Sequence, residues 1–272
     1  CVNFFKLEPV LKTFTNVVSF IRSRALNHRQ FEIFLNESDA EFQTNPYYTE
    51  VHWLSCHKVI KTFCLILPEI ISFLKLKDEN NMHITALQDK FWQQDLAFLT
   101  DITGHLNDLN LKRQGKNQLI TNMYDSLKAF VVKLTFFDTH ILKDEQLHFP
   151  TCVKIKNKTE DFDKYASRIV ELRKEFESRF VDIKYLEHIF SFIVGPFSVE
   201  VEKLPHDMQL EVIYFQYVSA LKEKYREVGS PAIYSHLNEK FPFMKKRTEE
   251  ILSYFGSTYL CETLFSQMKV NK

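Results

Sequence analysis

Three residues near position 50 are of types that bind metals: His52, Cys56 and His57, in the string "VHWLSCHKV". On a helix the i, i+4 spacing sets His52 and Cys56 on one face, where imidazole and thiolate suit a soft cation. A structural zinc site needs about four ligands. No second pair lies nearby in sequence, so these residues are expected to serve the start of a helix. A second set is acidic: Asp95, Asp101 and Asp108, with Glu171 and Glu175 further along. Two-metal phosphodiester cleavage needs two or three carboxylates converging from separate elements. Spacing along one helix does not supply that convergence, and a solvated helix face is the plainer expectation. Cysteine–histidine catalysis from Cys56 or Cys152 has no partner fixed by the sequence. Phosphate-cradling strings of the GxxxxGKS/T and GxGxxG types are absent, as is GxSxG. Phe130, Phe136 and Phe137 could stack on bases, but at helical spacing they belong to a core. Near the C-terminus "FGSTYLCETLFSQMK" holds one carboxylate, Glu262, among apolar residues.

The elements that must position these groups read as helices. Val10, Leu11, Phe14, Val17, Val18 and Ile21 recur at helical spacing after Pro9, with Arg22 and Arg24 near the end. Further helices are expected over residues 27–42, 54–75, 85–112 and 117–142. Pro68 should kink or split the third, and Thr85 is a plausible N-cap for the fourth. The fourth carries Leu87, Phe91, Leu99, Ile102, Leu106 and Leu109 as its apolar set. Residues 144–158 read as a loop. Residues 159–193 continue helical with an interruption near Arg179, and Gly195-Pro196 ends that stretch. "FSVEVEKL" alternates like a strand but is too isolated to outweigh the helices. Shorter helices are expected over 207–226, 231–239, 243–255 and 257–268. No fixed-period repeat appears. The expected architecture is mainly α: an irregular multi-helix array over residues 1–204 and a C-terminal helical segment over 205–272.

Bulk properties agree. The chain has 272 residues, enough to bury a sizeable core. Apolar residues make up 45% and charged residues 26%, which excludes global disorder. With 26 Phe but only 5 Gly and 8 Pro, long helices are favoured over tight turns. Lys+Arg and Asp+Glu are both 35, so the basic excess of a nonspecific nucleic-acid binder is missing. Lys240, Lys245, Lys246 and Arg247 form a local basic run that reads as a solvated helix face. The cysteines, Cys1, Cys56, Cys64, Cys152 and Cys261, are odd in number, widely spaced and without a CxxC pair. That pattern fits a reducing intracellular compartment. No secretory leader or uninterrupted apolar span is visible; the best candidate, residues 59–76, is broken by Lys61, Pro68, Glu69 and Lys75. A chain opening on Cys1 reads as a piece of something longer.

Longer strings carry a more specific signal. "SFIRSRALNHRQFEIFLNESDAEFQTNPYYTEVHWLSCHKVIK" and "DLAFLTDITGHLNDLNLKRQGKNQLITNMYDSLKAFVVKLTFF" resemble proteins derived from hAT-superfamily DNA transposases. The similarity is to the domesticated vertebrate group that includes zinc finger BED domain-containing proteins and the transposase-like half of the general transcription factor II-I repeat domain-containing proteins. "LPHDMQLEVI" and "FGSTYLCETLFSQMK" continue the match in the same order. The resemblance implies an RNase H-like core interrupted by a helical insertion, with three acids holding divalent metal ions for DNA cleavage. It places Glu262, in "CETLFS", at the third acid, on the last helix of that core. It places Trp53, in "TEVHWLS", at a tryptophan associated with handling the DNA end.

The chain departs from that pattern at several points. The region expected to carry the first two acids precedes Cys1, so neither can be assigned. Thr263 stands where arginine follows the glutamate, His52 replaces the arginine before the tryptophan, and Cys56-His57 replaces Arg-Gly. Pro68 replaces an ordinary helix residue, and no BED zinc finger is present. One acid cannot assemble the charge that two divalent ions require, so the ancestral Mg or Mn site is incomplete. The resulting expectation is a non-catalytic, domesticated protein, nuclear or otherwise intracellular, without cofactor or membrane contact. It would act through protein partners or self-association via its C-terminal helices, where part of the family's dimerisation region remains. The competing reading is one segment of a DNA-binding, DNA-cleaving transposase.

Overall fold

The structure, a computed structural model, describes residues 7–22, 25–37, 53–78, 81–113, 119–143, 146–155 and 163–253. Among the described residues the secondary structure is helical, with no β-strand. The helices are α1 (Glu8–Arg22), α2 (Ala25–Glu37), α3 (Trp53–Leu65), α4 (Leu67–Lys77), α5 (Met82–Gln88), α6 (Lys90–Arg113) and α7 (Ile120–Leu142). There follow α8 (Pro150–Ile155), α9 (Asp163–Arg179), α10 (Val181–Lys184), α11 (Glu187–Val194), α12 (His206–Tyr217), α13 (Ser219–Val228) and α14 (Pro242–Ser253). Apolar periodicity explains most of them: α1 buries Val10, Phe14, Val17, Val18 and Ile21, the i, i+4, i+7 stripe of an amphipathic helix.

The chain divides into two compact units. The first comprises residues 1–110 and 133–172, the second residues 111–132 and 173–272. In the first, aromatic pairs knit the helices together. Phe14 meets Phe63 edge-on at 5.0 Å, Phe31 meets Phe73 at 5.0 Å, and Phe98 stacks on Tyr165 at 4.3 Å. Helix α6 is the axis of this unit, since every residue from Leu96 to Thr103 is buried. In the second unit α11, α12 and α14 enclose a core that includes Phe192, Met208, Phe215, Phe241 and Ile251. Tyr234 donates its hydroxyl to the carbonyls of Phe192 (2.7 Å) and Ile193 (3.1 Å), tying the 3-10 turn Ala232–His236 to the end of α11.

The expected helix over 54–75 is split at Ile66, as its proline foretells, and Pro68 lies in the first turn of α4, where its missing N–H costs nothing. Several other boundaries differ from the sequence reading, for identifiable reasons. The expected helix over 85–112 is two helices. Asn81 accepts the N–H of His83 at 3.0 Å and starts α5, so Thr85 lies inside a helix and caps nothing. Asp89 then accepts the N–H of Trp92 at 2.7 Å and starts α6. Phe91, assigned to the apolar face, is 64% exposed. Part of the expected loop over 144–158 is the short helix α8, with Pro150 at its first position. The stretch 197–204 is turns and one 3-10 turn, Val201–Lys203, and the helix expected over 207–226 breaks at Val218. The break after Arg179 and the stop at Gly195 fall where the sequence places them.

Candidate functional site

The acids of α6 decide what this helix can do. Asp101 is buried, 8% exposed, and sits beside the start of α8. Its Oδ2 accepts the N–H groups of Thr151 (2.9 Å) and Cys152 (3.0 Å), and Oδ1 also accepts from Thr151 at 3.2 Å. Proline at the first position has no N–H to satisfy, so this carboxylate takes the next two orphan donors of α8. Desolvation pushes the Asp101 carboxyl above the usual carboxylate range, and the Thr151 and Cys152 donors pull it back. Asp95, six residues earlier on α6, faces the start of α9. Its Oδ1 accepts from the Tyr165 hydroxyl at 2.6 Å and pairs with Lys164 at 2.9 Å and Arg168 at 3.9 Å. Asp108 is exposed. The three carboxylates therefore serve three different places. Asp95 and Asp101 do not form the solvated face expected of them, and they do not converge on a shared cavity either. Glu171 is exposed and Glu175 pairs with Arg179 at 2.6 Å.

The histidines and thiols follow the same pattern. His57 lies across α6 with Nδ1 3.4 Å from the Thr103 hydroxyl. Gly104 permits this approach, because a Cβ there would stand 3.1 Å from His57 Cε1. Burial holds the His57 imidazole below its ordinary value, with the Lys61 cation acting in the same direction. His52 and the side chain of Cys56 lie outside the described residues. Cys152 is buried, and desolvation pushes its thiol far up; burial pushes Cys64 up to about 11. Thiols raised in this way are poor nucleophiles. Among the described residues no three His, Cys, Asp or Glu side chains gather in a way that could hold a metal ion.

The aromatic candidates separate. Phe130 and Phe137 are core, at 4% and 3% exposure, whereas Phe136 is 49% exposed with its ring 3.8 Å from that of His140. Lys240, Lys245 and Lys246 are exposed, but Arg247 pairs with Asp207 at 3.1 Å. Trp53 is the first residue of α3, its side chain outside the described residues, and Glu262 lies outside them altogether.

Sequence reasoning missed an apolar stripe on α12. Met208, Val212 and Phe215 face the core, yet Leu210, Ile213, Tyr214 and Tyr217 are also apolar and lie exposed at 79%, 44%, 54% and 83%. The signal was present in "DMQLEVIYFQY", which has an apolar residue on both faces of nearly every turn.

Fold and site together define a helical, strand-poor module whose internal acids and imidazoles are committed to packing and capping. Its residues 1–142 match the FAM200/GTF2IRD2 helical domain, and the chain belongs to that family. General transcription factor II-I repeat domain-containing protein 2 from Bos taurus is 40% identical over all 272 residues, and its counterpart from Mus musculus is 35% identical over the same length. The chain spans 28% and 29% of the lengths of these relatives. No solved structure matches it. No helix among the described residues is long and apolar enough to cross a membrane.

Proposed function

We propose that this chain is a non-catalytic module, derived from a hAT-type transposase, that works in the nucleus through protein–protein contacts. The segment 205–272 is the part that binds partners or a second copy. One observation carries this reading: Asp101 and Asp95 of α6, two of the acids the sequence offers for metal chemistry, are taken up by α8 and α9. A carboxylate that already accepts backbone N–H groups has little left to offer a divalent ion. The relatives support the nuclear assignment, since their names contain "general transcription factor". The exposed apolar side chains of α12 supply a surface for contacts of this kind. The test is incubation of the purified chain with supercoiled DNA and Mg2+ or Mn2+. The DNA is expected to stay intact. Nicking that disappears in Glu262→Gln would overturn the proposal and favour the reading as a segment of a DNA-cleaving transposase.

A further inference from the structure

The end of α4 sets three exposed residues in a row. The helix buries Leu67, Ile70, Phe73 and Leu74, so Leu76 falls on its other face, 73% exposed. Lys77, the last helical residue, is exposed. Its ammonium donates to Gln30 Oε1 at the surface and lies 5.5 Å from the centre of the Phe73 ring. Asp78 is exposed too, with φ −163° and ψ 107°, so the chain leaves the helix in an extended conformation. One backbone bond still ties it back, from the Asp78 N–H to the Leu74 carbonyl at 2.9 Å.

A single exposed leucine is ordinary on a protein surface. This one stands directly before a lysine, and Glu79 follows that lysine by two residues, in the string "LKDE". Glu79 lies outside the described residues and enters by its place in the sequence. An apolar residue, a lysine, any residue and an acid form the pattern read by the conjugating enzyme of the small ubiquitin-like modifier. Each position has a task there: the apolar side chain packs beside the catalytic cysteine, the lysine brings its amine to the thioester, and the acid pairs with a basic side chain to fix the register. Such a reader takes the segment extended. The last turn of a helix yields that shape most cheaply, because its carbonyls lack intrahelical partners and it frays first. The structure also discriminates between matches. "FKLE" at 5–8 fits the same pattern, but Leu7 within it is buried at 1% exposure. "LKDE" recurs at 142–145, just past α7, with Lys143 exposed.

We infer that Lys77 is an acceptor for the small ubiquitin-like modifier, with Leu76 and Glu79 as the residues that present it. In the reaction the Lys77 ammonium gives one proton to solvent, and the free amine attacks the thioester that joins the modifier's C-terminal glycine to the enzyme's cysteine. The C–N bond of an isopeptide forms, the C–S bond breaks, and the second amine proton leaves with the thiol. This goes beyond the protein-contact reading above and involves neither Glu262 nor the exposed side chains of α12.

The test is conjugation of the 272-residue chain in vitro with the ATP-dependent activating enzyme, the conjugating enzyme and the modifier, followed by gel shift. The Lys143→Arg background removes the second "LKDE" lysine, and circular dichroism checks folding. One modifier per chain is expected. Lys77→Arg keeps the charge and should abolish the conjugate. Glu79→Gln and Leu76→Ser should each slow its formation about tenfold, the loss of one recognition contact, with helicity unchanged. The inference is overturned if no conjugate forms, if it survives Lys77→Arg, or if its rate is indifferent to Glu79→Gln. DNA cleavage is read in a separate assay, so failure here and failure of the non-catalytic reading are distinguishable.

Discussion

His57 and His105 show how this chain uses groups that elsewhere do chemistry. His105 packs 4.4 Å from the Phe137 ring and lies 2.9 Å from the carbonyl of His148 through Nε2. Burial lowers both imidazoles, against which the His148 carbonyl offers His105 only partial compensation. Each ring therefore stays neutral to lower pH in the fold than in the unfolded chain, which takes up protons near the ordinary value of 6.5. The unfolded state binds more protons once the pH falls below that value, so acid favours unfolding. Stability from these residues is fully present above the ordinary imidazole value, is lost as pH falls through it, and levels off below the depressed folded values. Thermal melting at a series of pH values should give a Tm that falls on acidification from about pH 7 to pH 5. The fall should shrink in His105→Gln. A Tm that rises over the same interval would contradict this account.

At the scale of elements, the two units start a helix in the same way. The pairs Phe149-Pro150 and Phe241-Pro242 each put a buried phenylalanine before a proline that opens a helix. In each case a carboxylate from another helix, Asp101 or Glu211, accepts the next two backbone N–H groups. Removing Asp101 leaves buried donors without a partner, whereas the donors at Glu211 are nearer to solvent. Asp101→Ala should therefore cost about 3 kcal/mol and Glu211→Ala about 1 kcal/mol, read by urea denaturation. Equal losses at the two sites would contradict the burial argument. This device also marks the limit of what the sequence discloses. Proline at a helix start is a local signal, and Pro68, Pro150 and Pro242 carry it. The capping acid lies about 50 residues from α8 and about 30 from α14, and only the fold brings them together. The stripe of α1 and the breaks at Arg179 and Gly195 were legible because their causes are adjacent in sequence. The split at Asp89 was not, because its apolar neighbours Leu87 and Leu96 continue a helical period across it. Asp101 looked solvated for a related reason: periodicity does not reveal that the middle of α6, from Leu96 to Thr103, is enclosed on all sides.

At the scale of the whole molecule, the chain is neutral, its described residues are helical without a strand, and Asp95 and Asp101 are spent on internal structure. Phenylalanine does much of the packing, through edge and stacked contacts in both units. The family match and the two relatives place the chain among FAM200/GTF2IRD2-like helical domains. Among the described residues Asp95 and Asp101 are structural, and the proposal built on them is that the chain assembles no site for a pair of divalent cations. Calorimetric titration of the purified chain with Mn2+ tests that claim most directly. The account predicts no saturable heat at low ionic strength. A stoichiometric Mn2+ site that vanishes in Glu262→Gln would contradict it.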